Sequence, residues 1–279
     1  MSLKELRNRI KSVKSTQKIT AAMKMVASSR LKRVQEKVVH GREYLHSLDL
    51  MGSYIGRALH DSEVLNPWLQ EQGAHDLIVV FGATRGLCGG FHGNLQRHAI
   101  QVVEQFNNAK ILVVGKKLKE IFAKKYQNRF LNFELDDNSI SFETFLELAW
   151  YLENEKKAGN LKRVYVVGSH FKNILVQEFS TKNLCSFNFQ VNCDTTIFEP
   201  SVDVFLPNFF RHYVAVCLYQ SWVETGAGEM ASRMTAMDNA TRNASDMIDN
   251  LSLRYNRTRQ AKITTELIEI ISGYQSVNG

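Results

Sequence analysis

The stretch LIVVFGATRGLCGGF (77–91) decides the fold at the centre of the chain. Its first five residues form a short apolar run typical of a buried strand, and glycines follow at positions 82, 86, 89 and 90. Where a strand runs through a glycine turn into a helix, the free backbone N–H groups at the helix start can hold a pyrophosphate. The stretch therefore predicts an α/β unit and raises the question whether the chain binds a dinucleotide.

Further apolar runs on the C-terminal side repeat the strand pattern and alternate with helical stretches. This alternation predicts a compact α/β unit over residues 74–192 with a parallel sheet, to which ILVQEF (174–179) adds a strand. The predicted strands after the first are KILVVG (110–115) and RVYVVG (163–168), and the predicted helices cover 93–107, 116–126 and 141–157.

The segment before this unit, residues 1–59, predicts one long helix. It contains no proline, and Ser2 with Glu5 forms a capping box at its start. Apolar residues recur at steps of three and four, as on the seam of a coiled coil, and we interpret Gln17 and Thr20 as a weak point in its register. The predicted seam residues are Leu3, Leu6, Ile10, Val13, Met23, Val26, Val34 and Val38.

The last part of the chain, residues 207–276, predicts a second long helix of the same kind. No proline follows Pro207, and steps of four and three again define an apolar seam. Gly226 and Gly228 each cost about 1 kcal/mol relative to alanine in a helix, so we expect a kink or a broken turn there. The predicted seam consists of Met230, Met234, Met237, Thr241, Ala244, Ile248, Leu251, Tyr255 and Thr258.

Charge is concentrated in the first helix. The chain has a net charge of +7, yet residues 1–43 alone hold twelve Lys or Arg against three Glu. This basic segment indicates an anionic partner, which could be nucleic acid, a lipid surface or an acidic protein. No aromatic residue precedes Tyr44, which argues against stacking on single strands, but a basic coiled-coil protein that binds duplex nucleic acid remains an alternative.

An enzymatic role finds little support in the motifs. The glycine turn resembles the cofactor turn of short-chain dehydrogenases, but no Tyr is followed four residues later by Lys, and Cys88 occupies the place of the third glycine. The second strand ends in Gly115-Lys116-Lys117, without an acid for a ribose hydroxyl. No zinc-protease, serine-hydrolase or phosphate-loop motif occurs, and the four cysteines show no metal spacing. We predict no catalytic, cofactor or metal residue, with a Rossmann-type oxidoreductase as the less favoured alternative.

Three segments together resemble the gamma subunit of the rotary (F-type) ATP synthase. They are STQKITAAMKMVASSRLKRVQ (15–35), RGLCGGF (85–91) and ASRMTAMDNATRNASDMIDNLSLRYNRTRQAKITTELIEIISG (231–273). The resemblance covers essentially the whole chain in the right order. It implies an α/β protein in which the N- and C-terminal helices form a long antiparallel coiled coil, with a central Rossmann-like domain that binds no nucleotide.

The resemblance also implies a function. The family's gamma subunit is the rotor shaft of a proton- or sodium-translocating ATP synthase, and it passes through a ring of three alpha and three beta subunits. Its base contacts the epsilon subunit and the c-subunit ring, so membrane contact is made through the complex and no nucleic acid is involved. The chemistry belongs to the beta subunits. We expect the cytoplasmic face of a bacterial inner membrane, with the matrix side of the mitochondrial inner membrane as the alternative.

Partner-binding residues follow from the same resemblance. One group matches the stretch that faces the acidic lever of a beta subunit, a second touches loops of the surrounding ring, and one acidic residue lies near the c ring. The three groups are Met23, Lys24 and Arg30; Arg233, Arg259, Gln260 and Thr264; and Glu199. The chain departs from the family pattern at Thr84, where Asp is usual, and at Gly226 and Gly228, where the family has a glycine-free helix.

Overall fold

The structure is a computed structural model that describes residues 2–61, 66–82, 85–131, 140–187, 198–199 and 201–278. The chain divides into two compact units. The coiled-coil unit consists of Met1–Ala27 and Arg233–Gly279, and the sheet unit consists of Ser28–Ser232.

Five helices and four strands make up the described residues, with two single 3₁₀ turns at Pro67–Leu69 and Gln127–Arg129. The first and last helices each contribute residues to both units. In chain order the elements are α1 (Leu3–Asp61), β1 (His75–Phe81), α2 (Phe91–Gln105), β2 (Lys110–Val114), α3 (Lys116–Lys125), α4 (Phe142–Lys157), β3 (Leu161–Phe171), β4 (Gln177–Asn183) and α5 (Val202–Asn278).

The sheet has the strand order β2-β1-β3-β4. Strand β1 pairs in parallel with β2 and β3, so that Val79 lies opposite Leu112 on one side and Val166 on the other. Strand β4 pairs antiparallel with β3 and starts later than predicted. Ile174 to Val176 belong to the turn instead of the strand, because the side chain of Asn173 accepts hydrogen bonds from the N–H groups of residues 175 and 176.

Helices cover both faces of the sheet, as in Rossmann-like folds. Alternate residues of β1 belong to two separate apolar clusters, one shared with α4 and α5 and the other with α2 and α3. Members of the first are Leu77, Val79, Phe145 and Phe210, and members of the second are Ile78, Val80, Leu95 and Phe122. The sheet unit therefore has an apolar core of its own on each face.

In the coiled-coil unit the two helices run antiparallel. Lys24 pairs with Asp238, and Thr20 contacts Thr241, so the partner's number rises as the number on α1 falls. The predicted antiparallel coiled coil is confirmed. The seam prediction is wrong at Val26, which is 53% exposed, because the 4-3 spacing that starts at Leu6 passes through Ala27 instead.

Thr20 does not interrupt this seam. Its side chain is buried, and its hydroxyl accepts a hydrogen bond from Thr241 Oγ1 at 2.8 Å while donating to the carbonyl of Gln17 at 3.0 Å. A buried hydroxyl on an apolar seam is acceptable when it has such partners. The register therefore continues through Thr20, and the prediction of a weak point there is wrong.

Helix α5 begins at Val202, so Pro207 lies inside it and not before it. Of the kink or broken turn predicted at Gly226 and Gly228, the broken turn does not occur, because α5 is helical through both residues. Close packing accounts for the second glycine: a Cβ atom at Gly228 would lie 2.7 Å from Ser169 Oγ. Among the described residues, no helix contains a stretch long and apolar enough to cross a membrane.

Candidate partner-binding surfaces

The C-terminal tip, defined as residues 259–274 of α5, exposes every side chain. Thr258 is the last seam residue that is partly covered. Large apolar residues are exposed along the tip, namely Ile263, Leu267, Ile268, Ile270, Ile271 and Tyr274. A helix that leaves an apolar surface uncovered is typical of a segment that packs against another protein.

Three of the residues assigned from the resemblance lie on this tip. Arg259, Gln260 and Thr264 are all exposed. Thr264 Oγ1 donates to the carbonyl of Gln260 at 2.9 Å, so its oxygen lone pairs stay available. Arg259 is the cation among them, and in the described part of the chain it makes no ion pair. These side chains are placed where a surrounding partner could reach them.

Lys24 is already paired inside the coiled-coil unit. Its Nζ lies 2.6 Å from Asp238 Oδ1, and Arg242 Nη2 lies 2.5 Å from Asp238 Oδ2. The hydrogen bond from Lys24, with further contributions from Arg242, lowers the pKa of Asp238 below its ordinary value. Met23, beside it, is half-buried. Lys24 therefore holds the two helices together, and its side chain is still 44% exposed toward any partner.

The remaining assigned residues do not form one patch. Arg30 is exposed and belongs to the sheet unit, where it lines a cavity with Lys37. Arg233 is only 7% exposed, so most of its side chain is covered by the chain itself. Glu199 is exposed, and the ring of the preceding Phe198 contacts that of Phe205 on α5 at a centroid distance of 5.3 Å, with the two planes tilted by 53°. The structure thus places the assigned residues on several surfaces of both units.

The sheet unit contains an ion cluster that the sequence did not indicate. Glu224 of α5 is buried, and Arg42 Nε of α1 donates to its Oε1 at 2.8 Å. His170 Nδ1 of β3 donates to Oε2 at 2.6 Å, and Arg42 Nη2 donates to the carbonyl of Phe171 at 2.7 Å. A single carboxylate therefore ties both long helices to the end of a strand.

Ionisation of Glu224 is favoured despite its burial. Burial raises the pKa of a carboxyl group, but the hydrogen bonds and charge of Arg42, together with Gln220 and His170, outweigh it and lower the pKa of Glu224. Gln220 Nε2 donates both to Glu224 Oε1 and to the carbonyl of Val38 on α1, each at 3.1 Å. The cluster, called here the Glu224 node, fastens the helices to the sheet.

The glycines that directly follow β1 and β2, Gly82 and Gly115, are explained by packing. Gly82 N–H donates to the carbonyl of Val114 at 2.7 Å, which joins the ends of β1 and β2. Gly115 has a φ of +118°, and a Cβ atom there would lie 2.7 Å from the carbonyl oxygen of Gly82. Only glycine fits such a conformation and approach. Thr84, the departure noted in the sequence, lies outside the described residues.

Together, the fold and these surfaces define an α/β protein with an antiparallel coiled coil and an exposed apolar C-terminal tip. Comparison with known proteins identifies the family. A family model described as "ATP synthase" matches residues 2–277. The ATP synthase gamma chain of Pelotomaculum thermopropionicum is 39% identical over 280 residues, covering 98% of each chain. That of Dinoroseobacter shibae is 36% identical, covering 99% of each chain.

The chain therefore belongs to the ATP synthase gamma chain family. It is a non-catalytic, peripheral subunit whose function is that of the central rotor of the synthase, and the oxidoreductase and nucleic-acid alternatives are not supported. A chain in the rotor of the Euglena gracilis mitochondrial ATP synthase has a similar fold, with a TM-score of 0.66 at 19% identity. That likeness covers 94% of this chain and 98% of the Euglena chain.

Proposed function

We propose that the coiled-coil unit transmits rotation to a ring of three alpha and three beta subunits, and that the C-terminal tip bears on that ring. The observation that carries this proposal is the complete exposure of residues 259–274, with their apolar side chains. A single helix of this length is only marginally stable in water. Partner protein packed around the tip explains how it can be helical and expose apolar side chains.

The assigned residues take two roles in this proposal. Arg233, Arg259, Gln260 and Thr264 contact loops of the ring, where a charge-assisted hydrogen bond from Arg259 gives a strong, directional contact. The second group, Met23, Lys24 and Arg30, faces the acidic lever of a beta subunit. The excess of basic residues in the first helix supports this group, because complementary charge steers partners and fixes their register.

The sheet unit is proposed to face the membrane. Glu199 lies near the c-subunit ring, and the epsilon subunit binds beside it. In this proposal residues 1–59 and 207–276 form the shaft and residues 74–192 the base. The chain works at the cytoplasmic face of a bacterial inner membrane, driven by protons or sodium ions, and touches the membrane only through its complex.

Assembly tests this proposal. Co-expression with alpha and beta subunits is expected to give a complex with one copy of this chain per three of each partner, and native mass spectrometry measures that ratio. ATP hydrolysis is expected to depend on the presence of the chain. A stable homodimer of this chain that ignores the ring subunits would contradict the proposal.

A paired substitution tests the tip. Replacing Arg259 and Gln260 by Ala is expected to lower turnover more than assembly, since these side chains contact the ring while the seam holds the helices together. Replacing Arg254 and Arg257 by Ala is the matched control, because both are exposed on the same helix outside the tip. Unchanged turnover in the Arg259→Ala and Gln260→Ala double variant would remove these residues from the proposed contact.

A further inference from the structure

A cavity of about 320 Å³ lies in the sheet unit between α1, α5 and the end of β1. Gly82, the residue that follows β1, lines it, together with Trp222 of α5. In the strand order β2-β1-β3 the chain leaves β1 toward one side and later returns on the other. In open α/β sheets, ligands bind outside the carboxyl ends of the strands at such a switch point. The cavity therefore lies where this fold commonly holds a ligand.

Gly226 opens this cavity from the side of α5. A Cβ atom there would meet nothing within 4 Å, whereas one at Gly228 would collide with Ser169. Glycine in a helix costs about 1 kcal/mol relative to alanine, and here no close approach within the chain requires it. The space beside Gly226 is thus left open next to an indole ring, and the packing of the chain does not account for it.

The lining of the cavity carries an excess of positive charge. Arg30 and Lys37 lie two turns apart on α1, and within the described residues neither makes an ion pair. Arg85 lines the same cavity from the glycine turn, and the buried Glu229 is the acid in the lining. Small-molecule sites typically combine an apolar wall with a few charged groups that fix orientation. This combination matches a ligand that has both an apolar body and a negative charge.

We propose that this cavity binds a small amphiphilic anion, a molecule with one phosphate or carboxylate head and an apolar body. The head lies between Arg30 and Lys37, and the body packs on Trp222 in the space left by Gly226. The cavity volume is that of a small-ligand site, and the absence of a phosphate-cradling motif in the sequence excludes a dinucleotide. Because Arg30 is also the residue proposed to face the acidic lever of a beta subunit, an acidic segment of that partner is the competing occupant.

Titration of the full-length chain with octyl phosphate tests the proposal. Binding is followed by calorimetry and by the fluorescence of Trp222, isolated by comparison with a Trp222→Phe variant. Saturable binding of one octyl phosphate per chain is expected, with octanol and inorganic phosphate each bound at least about tenfold more weakly, because each supplies only half of the recognised chemistry. Octyl phosphate that binds no better than octanol would overturn the proposal.

Two sets of variants locate the site. Gly226→Leu fills the cavity and is expected to weaken octyl phosphate binding about tenfold or more, while Gly273→Leu, at a glycine of the same helix that also has open space, leaves it unchanged. The double variant Arg30→Gln and Lys37→Gln is expected to bind octyl phosphate more weakly, and with an affinity that depends less on salt concentration. The matched control is Lys32→Gln with Arg33→Gln, since both side chains are exposed on α1 outside the cavity.

Two results would count against a small-ligand site. Binding that survives both Gly226→Leu and the loss of Arg30 and Lys37 would place octyl phosphate elsewhere. The second result comes from the complex with alpha and beta subunits: if octyl phosphate no longer binds there and the isolated chain still binds it, a partner segment occupies the cavity. That outcome would replace the proposed ligand by an acidic segment of the partner.

Discussion

The sheet unit buries whole strands between layers of helices, whereas the coiled-coil unit buries one stripe on each of its helices. The largest fully buried side chains of the described residues all lie in the sheet unit, among them Trp68, Phe145 and Phe210. The seam of the coiled-coil unit instead contains small or polar residues such as Thr20, Ala27 and Ala244. The sheet unit thus buries its large apolar side chains within its own core. The coiled-coil unit buries mainly small or polar side chains on its seam and leaves large apolar side chains exposed on the C-terminal tip.

The largest expected loss of stability comes from a substitution in the core of the sheet unit. Phe145→Ala is expected to destabilise the sheet unit by about 3–5 kcal/mol, because it leaves a cavity at a fully buried site in the apolar core. Urea unfolding followed by tryptophan fluorescence measures this, since Trp68, Trp150 and Trp222 all lie in that unit.

Leu251→Ala is the counterpart in the coiled-coil unit. We expect a loss of about 2 kcal/mol, at the low end for such substitutions, because the seam residue borders solvent. Helix content followed by circular dichroism during urea unfolding measures it. A loss as large as that for Phe145→Ala would mean that the seam is a full core, and the comparison would fail.

The Glu224 node predicts the next effect. Glu224→Gln is expected to cost about 1–3 kcal/mol of unfolding free energy, because it removes the charged acceptor of Arg42 and His170 in a buried site. Glu178→Gln is the control: this carboxylate pairs with Lys172 at the surface, so about 0.5 kcal/mol or less is expected. Equal costs for the two substitutions would show that the node does not fasten the helices to the sheet.

Acidification is expected to remove the stabilisation that ionised Glu224 contributes. The folded-state pKa of Glu224 lies below its ordinary value of 4.5. Its stabilisation is therefore complete above that value and disappears as the pH falls through the lower, folded-state pKa. The difference in unfolding free energy between wild type and Glu224→Gln is expected to be constant near neutral pH and to shrink below pH 4.5. A difference that grows on acidification would contradict an ionised Glu224.

The smallest expected effect concerns the hydrogen bond between Thr20 and Thr241 on the seam of the coiled coil. Thr20→Val is expected to cost about 1 kcal/mol or less, because Thr241 loses one hydrogen-bond partner. Adding Thr241→Val is expected to recover most of that loss, since two apolar side chains then face each other on the seam. A double-mutant cycle read by helix unfolding measures the coupling. Strictly additive losses would show that the two hydroxyls do not interact.

Local patterns were enough to predict the elements of the fold. The alternation of apolar runs and helical stretches indicated the parallel strands, and the 4-3 spacing indicated both long helices. The errors have local causes. Val26 and Ala27 are adjacent, and residue size favours Val26 for the seam, whereas the 4-3 spacing selects Ala27. The start of β4 depends on hydrogen bonds made by Asn173, which periodicity does not report.

The long-range interactions within the sheet unit could not be predicted from the sequence. Arg42 and Glu224 are separated by 182 positions, and nothing in either segment selects the other as a partner. Gly226 and Gly228 have identical side chains and opposite surroundings, so only the structure distinguishes the packed glycine from the open one. The partner-binding residues came from the resemblance alone, and their contacts stay predictions.

Rotation of the chain inside its ring is the most direct test of the account. A bead is attached to a cysteine introduced as Leu175→Cys, a residue 81% exposed in the turn before β4. Cys185 and Cys193 are replaced by Ser, and the two other cysteines, Cys88 and Cys217, are buried. With the alpha and beta ring fixed to a surface and ATP supplied, the account predicts rotation in one direction with three stops per turn, one for each beta subunit. A bead that only fluctuates while the same complexes hydrolyse ATP at the full rate would contradict the rotor function.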